Sequence, residues 1–185
     1  MNPQLQAVAD ELASAESRLR RLVVDAPAEL WPRRPGPDRW SMAECVAHLN
    51  LSARAFLPSI RSSIAEGQRL GRRTSVRYRR APIGWLLWWT MRPPVRHRLK
   101  TMAPFVPVAS PPLGELVTEF SGLQAEQLAC VRQADGLPLA RLRIVSPFDS
   151  RVRYNLYSCL TILPAHQHRH LWQAEQVLEE LRNAT

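Results

Sequence analysis

The sequence predicts an all-α fold, a bundle of four amphipathic helices, and three observations carry that prediction. Apolar residues recur at spacings of three and four in four separate stretches, the period of a helix with one buried face. Glycine is scarce, 7 in 185 residues, too few for the many sharp turns of a sandwich or barrel. The 16 prolines gather between the periodic stretches, where they end helices.

The first stripe is Leu5, Val8, Leu12, Ala15, Leu19 and Leu22, ending near Asp25–Pro27. A proline-rich connection follows, PAELWPRRPGPDRW. The second helix is expected to start at Ser41, because Ser41 and Glu44 have the S-x-x-E spacing of a capping box, with Trp40 and Cys45 placed for a hydrophobic staple. Its inward stripe is Cys45, His48, Leu49, Ser52, Phe56 and Ile60, and Pro58 predicts a kink near Arg54. The third stripe is Leu113, Leu116, Phe120, Leu123, Gln127 and Val131, ending by Gly136–Pro138. The fourth is Cys159, Leu163, His166, His170, Ala174, Val177 and Leu181. Leu142 to Val145 reads as loop rather than strand. Residues 1–185 are expected to form a single domain.

The formal charge of +9 is local. Arg69 to Lys100 holds ten cationic residues and no acidic one, which leaves the rest nearly neutral. This basic, tryptophan-rich insert, at about residues 69–108, suits an anionic partner: nucleic acid, a phosphate or carboxylate substrate, or lipid headgroups. A solvated loop is the plain alternative. Within it, the apolar run Ile83–Met91 is about half the length needed to span a bilayer. Burial of that run against the protein's own helices or a partner subunit is favoured over contact with a membrane surface. The start of the chain lacks a basic, then apolar, leader pattern. Three cysteines without a spacing motif fit a reducing compartment, so a cytoplasmic location is expected.

The histidines hold the chemical information. His166 and His170 are four apart and project from one helical face, the apolar face that carries Leu163 and Ala174. His48 lies on the inward stripe of the second helix. An unpaired buried imidazole costs about 1–3 kcal/mol, and one divalent ion would satisfy all three rings. Neutral imidazole suits Zn, Ni, Cu or Fe(II). His168 points about 200° away from His166 and should face outward, and His97 reads as a loop residue. Cys45, one turn before His48, reads as core. Gln173, one turn past His170, is the candidate outer partner of the metal ligands, with a solvent-exposed glutamine the favoured plain reading.

Two segments resemble a known family. WSMAECVAHL (Trp40–Leu49) resembles the start of the second helix in DinB-like, YfiT-like proteins, and PAHQHRHLWQAEQVL (Pro164–Leu178) is similar to their last-helix pattern. RLKTMAPFVP (Arg98–Pro107) resembles a segment before the third helix in some members. Residue by residue, the family's metal-binding histidines fall on His48, His166 and His170. The resemblance implies an antiparallel four-helix bundle with a long crossover between helices 2 and 3, a divalent metal, and often a homodimer. It also implies a metal-dependent transferase using a low-molecular-weight thiol, or a hydrolase.

Three neutral ligands leave an ion its full charge, suited to activating a thiol or water for attack on a small electrophile. Arg96 and Arg98 are candidates to hold an anionic substrate. No Asp or Glu sits on an inward stripe beside the histidines. A metal-ionised thiol needs no separate base, so thiol transfer fits better than hydrolysis. The alternative is a non-catalytic stress-response or interaction module with a structural metal, its basic insert binding an anionic partner. Sequence-specific nucleic-acid reading is disfavoured, since no helix-turn-helix or zinc-finger spacing is present.

Overall fold

The computed structural model describes residues 1–71, 77–93, 101–108 and 111–184. Five α-helices dominate the described residues: α1 (Pro3–Asp25), α2 (Met42–Arg69), α3 (Pro82–Met91), α4 (Leu113–Gln133) and α5 (Leu156–Asn183). A hairpin of β1 (Arg143–Val145) and β2 (Arg153–Asn155) precedes α5.

The four stripes become the inward faces of α1, α2, α4 and α5. All of their residues are buried except Leu113, which is half-buried. The capping box forms: the Glu44 amide donates to Ser41 Oγ at 3.2 Å, and the Ser41 amide donates to Glu44 Oε2 at 2.8 Å. α2 continues as one helix from Met42 to Arg69 through Pro58. Pro58 is exposed, so its ring faces water.

α2 packs on α4 and α5, while α1 packs on α5 and α4. The apolar core divides into two clusters. One joins the second half of α1 to the first turns of α2 and α4 and the last turns of α5. The other joins the start of α1 to the later turns of α2 and α4, the hairpin and the start of α5. Polar side chains lie between the clusters at that mid-level. Among them, Gln124 Nε2 donates to the Leu12 carbonyl at 2.6 Å, and Gln124 and Gln167 exchange hydrogen bonds of 3.0 and 2.8 Å.

The segment read as loop at Leu142–Val145 contains strand β1 instead. Ile144 pairs with Tyr154, and both are buried. A three-residue strand is too short to show a period, and its pairing partner lies eight residues further on.

The apolar run of the insert forms α3, which lies against α5. Leu87 and Trp88 pack on the core, while Ile83, Trp85, Leu86 and Trp89 are exposed. Gly84 permits this approach, since a Cβ there would stand 2.3 Å from Ser158 Cβ and Oγ. The Ala81 amide donates to the same Ser158 hydroxyl at 2.9 Å. Gly84→Ala should therefore push α3 off α5. The expected result is a red-shifted tryptophan emission and a loss of about 1–3 kcal/mol from overpacking, read by urea denaturation. Among the described residues, no helix is long and apolar enough to cross a membrane.

Candidate metal centre

The three stripe histidines meet between the two apolar clusters. His48 comes from α2, and His166 and His170 come from successive turns of α5. All are buried, at 2%, 7% and 7% exposure. One ring nitrogen from each lies within 4.8 Å of the others. His48 Nε2 and His166 Nε2 are 3.1 Å apart. Two nitrogens bound to one ion at roughly 2.0–2.1 Å would lie about 2.9 Å apart at a right angle and about 3.3 Å apart at a tetrahedral angle. The observed separation falls between these values.

His48 has a fixed tautomer. Its Nδ1 is 2.8 Å from the Phe105 carbonyl oxygen. A carbonyl can only accept, so Nδ1 carries the proton in the neutral ring, and the Nε2 lone pair points to His166. This is the outer-partner arrangement of metal-ligating histidines, in which one nitrogen donates to a carbonyl and the other is free for an ion. His170 Nδ1 is buried without a hydrogen-bond partner of good geometry. Gln173 is the polar side chain that acts on that ring from the next turn.

Burial holds all three rings neutral, the state a metal requires. It pulls His48 below the usual histidine range, against a smaller upward pull from the Phe105 carbonyl. His166 and His170 fall well below that range, first through burial and then through mutual repulsion and the neighbouring Arg169. The unfolded chain takes up these protons near pH 6.5, whereas the folded metal-free chain refuses them. Stability from this source is complete above about pH 6.5 and falls as pH drops below it, by up to about 1.4 kcal/mol per pH unit for each histidine. Urea midpoints of metal-free protein between pH 7.5 and 5 should show this, with a shallower slope for His170→Gln.

The walls are aromatic. Trp40 lies 5.0 Å from His48 and 5.7 Å from His170, centroid to centroid. Phe148 lies 6.4 Å from His48 and 6.0 Å from His166, and contacts Phe105 at 4.3 Å. The Phe105 carbonyl and the Phe148 ring went unread in the sequence as parts of the site. Phe105 ends a short 3₁₀ turn, and Phe148 lies in the hairpin loop, so helical periodicity could not find them. The only usable signal was the family-like segment around Phe105.

Cys45 is fully buried in the apolar cluster, outside the histidine group, with its thiol pushed far up by burial. His168 lies across α5, half-buried, with Nε2 3.0 Å from Glu11. No carboxylate joins the group among the described residues. Glu44 is held by Ser41 and Arg34, and Glu119 by Asn50 and Arg54. Arg96, Arg98 and His97 lie outside the described residues.

A helical domain in which a histidine of one helix meets an i, i+4 histidine pair of another is a protein with a candidate three-histidine metal site. The chain belongs to the DinB superfamily, whose family model matches residues 11–174. That span contains all three histidines and the whole insert. No curated protein and no solved structure matches the chain.

Proposed function

We propose that the chain is a metal-dependent enzyme of the DinB superfamily, in which His48, His166 and His170 hold a divalent Zn, Ni or Fe ion. Its scaffold is an antiparallel four-helix bundle of α1, α2, α4 and α5, with the insert as a long crossover. The two core clusters support that reading. They join the second half of α1 to the starts of α2 and α4 and to the end of α5, so α2 and α4 run alike and need a long connection.

The observation that carries the metal assignment is the His48–His166 nitrogen pair, 3.1 Å apart, with His48 Nδ1 on the Phe105 carbonyl. A bound ion would lower the pKa of a thiol or water and polarise a leaving group. The protein's own part is to keep three neutral donors in place. Phe105 fixes the His48 tautomer. Trp40, Phe105 and Phe148 keep bulk water away, which strengthens electrostatic interactions in the site. Without a carboxylate in the histidine group, a thiol substrate, ionised without a protein base, suits the site better than water.

Elemental analysis of wild type beside His48→Ala and His170→Ala tests the ligand set. About one equivalent of metal in wild type and little in either variant is expected. Equal metal in all three sinks the assignment. A screen of metal-loaded protein for consumption of a low-molecular-weight thiol by small electrophiles then tests the activity. The near-complete burial of the rings favours a second reading, a structural metal in a non-catalytic module. Full metal occupancy with no thiol or ester turnover would select it.

A further inference from the structure

A separate cavity of about 480 Å³ lies between α1, α3 and α5, within the usual range for small-molecule sites. None of the three histidines lines it. Its α5 wall is Tyr157, Thr161, Pro164, Ala165 and His168. On a helical wheel these residues lie nearly opposite His166 and His170. The two sites therefore use opposite faces of one helix.

The charge in this cavity is unbalanced. Arg18 is held by both oxygens of Glu175, each at 2.5 Å, and His168 is paired with Glu11 at 3.0 Å. Arg80 and Arg92 differ. Their guanidinium carbons lie 4.0 and 4.8 Å from the centroid of the same Trp88 ring, and among the described residues neither has a carboxylate partner. Arg80 spends its Nε on Thr161 Oγ1 at 2.8 Å. Among the described residues its two terminal nitrogens make no further hydrogen bond, which leaves them for a ligand. Two cations gathered on one indole repel each other, and cation–π attraction of about 0.5–2 kcal/mol each does not neutralise them. An oxyanion between them would, through charge-assisted and bidentate hydrogen bonds. Ala7, Val8, Pro164 and Ala165 form an apolar stretch of the wall, beside Gln4, whose amide is bonded to Tyr78 and the Tyr157 hydroxyl.

We propose that this cavity is a second ligand site, distinct from the histidine centre, for a small molecule carrying a phosphate or carboxylate on an apolar body. Arg80 and Arg92 grip the oxyanion, and the wall of Ala7, Val8 and Pro164 takes the body.

Calorimetric titration with phenyl phosphate, benzoate and neutral phenol tests this. Phenyl phosphate or benzoate should bind saturably, phenol should bind far more weakly, and affinity should fall as salt rises. Which of the two anions binds tighter identifies the headgroup. Arg92→Gln, at an exposed position where folding is not at stake, should weaken binding about tenfold or more. Arg80→Gln should do the same, with its fold checked by circular dichroism, and His170→Ala should leave the affinity unchanged. The proposal is overturned by no saturable binding of either anion at millimolar concentration, by phenol binding equally well, or by full affinity in Arg92→Gln. Loss of binding in His170→Ala would also overturn it, because the ligand would then belong to the histidine centre.

Discussion

Saturating the purified protein with a divalent metal such as Zn should raise the unfolding temperature by about 8 °C, and His48→Ala should abolish the rise. A ligand that binds only the folded state stabilises it by about 2.7 kcal/mol at 100 times its Kd. A domain of this size shifts by about 2–4 °C per kcal/mol. The effect depends on three donors closing on one point, since a buried group of neutral imidazoles exists only in the folded chain. Removing His48 takes away the one candidate ligand that α2 contributes beside the α5 pair. His168→Ala, on the opposite face of α5, serves as the control and should keep the metal-induced rise. Scanning calorimetry with and without added metal reads both. An equal rise in His48→Ala would place the ion elsewhere.

Gln167→Ala should lower stability by about 4 kcal/mol, or roughly 8–16 °C in unfolding temperature. Gln167 Nε2 donates to Gln124 Oε1 at 2.8 Å and to Gln127 Oε1 at 3.3 Å, and all three glutamines are buried. The truncation leaves two buried acceptors without donors, at about 1–3 kcal/mol each, and opens a cavity. Replacing both Gln124 and Gln167 with leucine should cost less than the sum of the single changes, because fewer orphaned polar groups remain. Chemical denaturation of the four proteins in that cycle gives the coupling. Additive losses would show that the amides do not act as a network.

Helices α1, α2, α4 and α5 and the inward placement of the three histidines were legible in the sequence because they follow from local periodicity, whereas α3, an apolar run with no amphipathic period, was not legible as a helix. A residue's place on a helical wheel depends only on its neighbours within a few turns. The stripes from Leu5 to Leu22 and from Cys159 to Leu181, and the Ser41–Glu44 cap, are local in this sense. So is the inward placement of His48, His166 and His170.

Other features depended on contacts between distant segments. The Phe105 carbonyl reaches His48 across 57 positions. Phe148 arrives in a hairpin loop whose strands are only three residues long. α3 lies on α5 because Gly84 meets Ser158. Arg80 and Arg92 become a pair because both guanidinium groups lie over the Trp88 ring of α3. The sequence by itself determined which residues face inward, and so which histidines form the candidate donor set. The tertiary structure decided which nitrogen is free, what walls the histidines, and that a second cavity lies on the far side of the same helix. The physical reason is range: periodicity encodes the face of each helix, while hydrogen-bond partners and cavities exist only after distant segments pack.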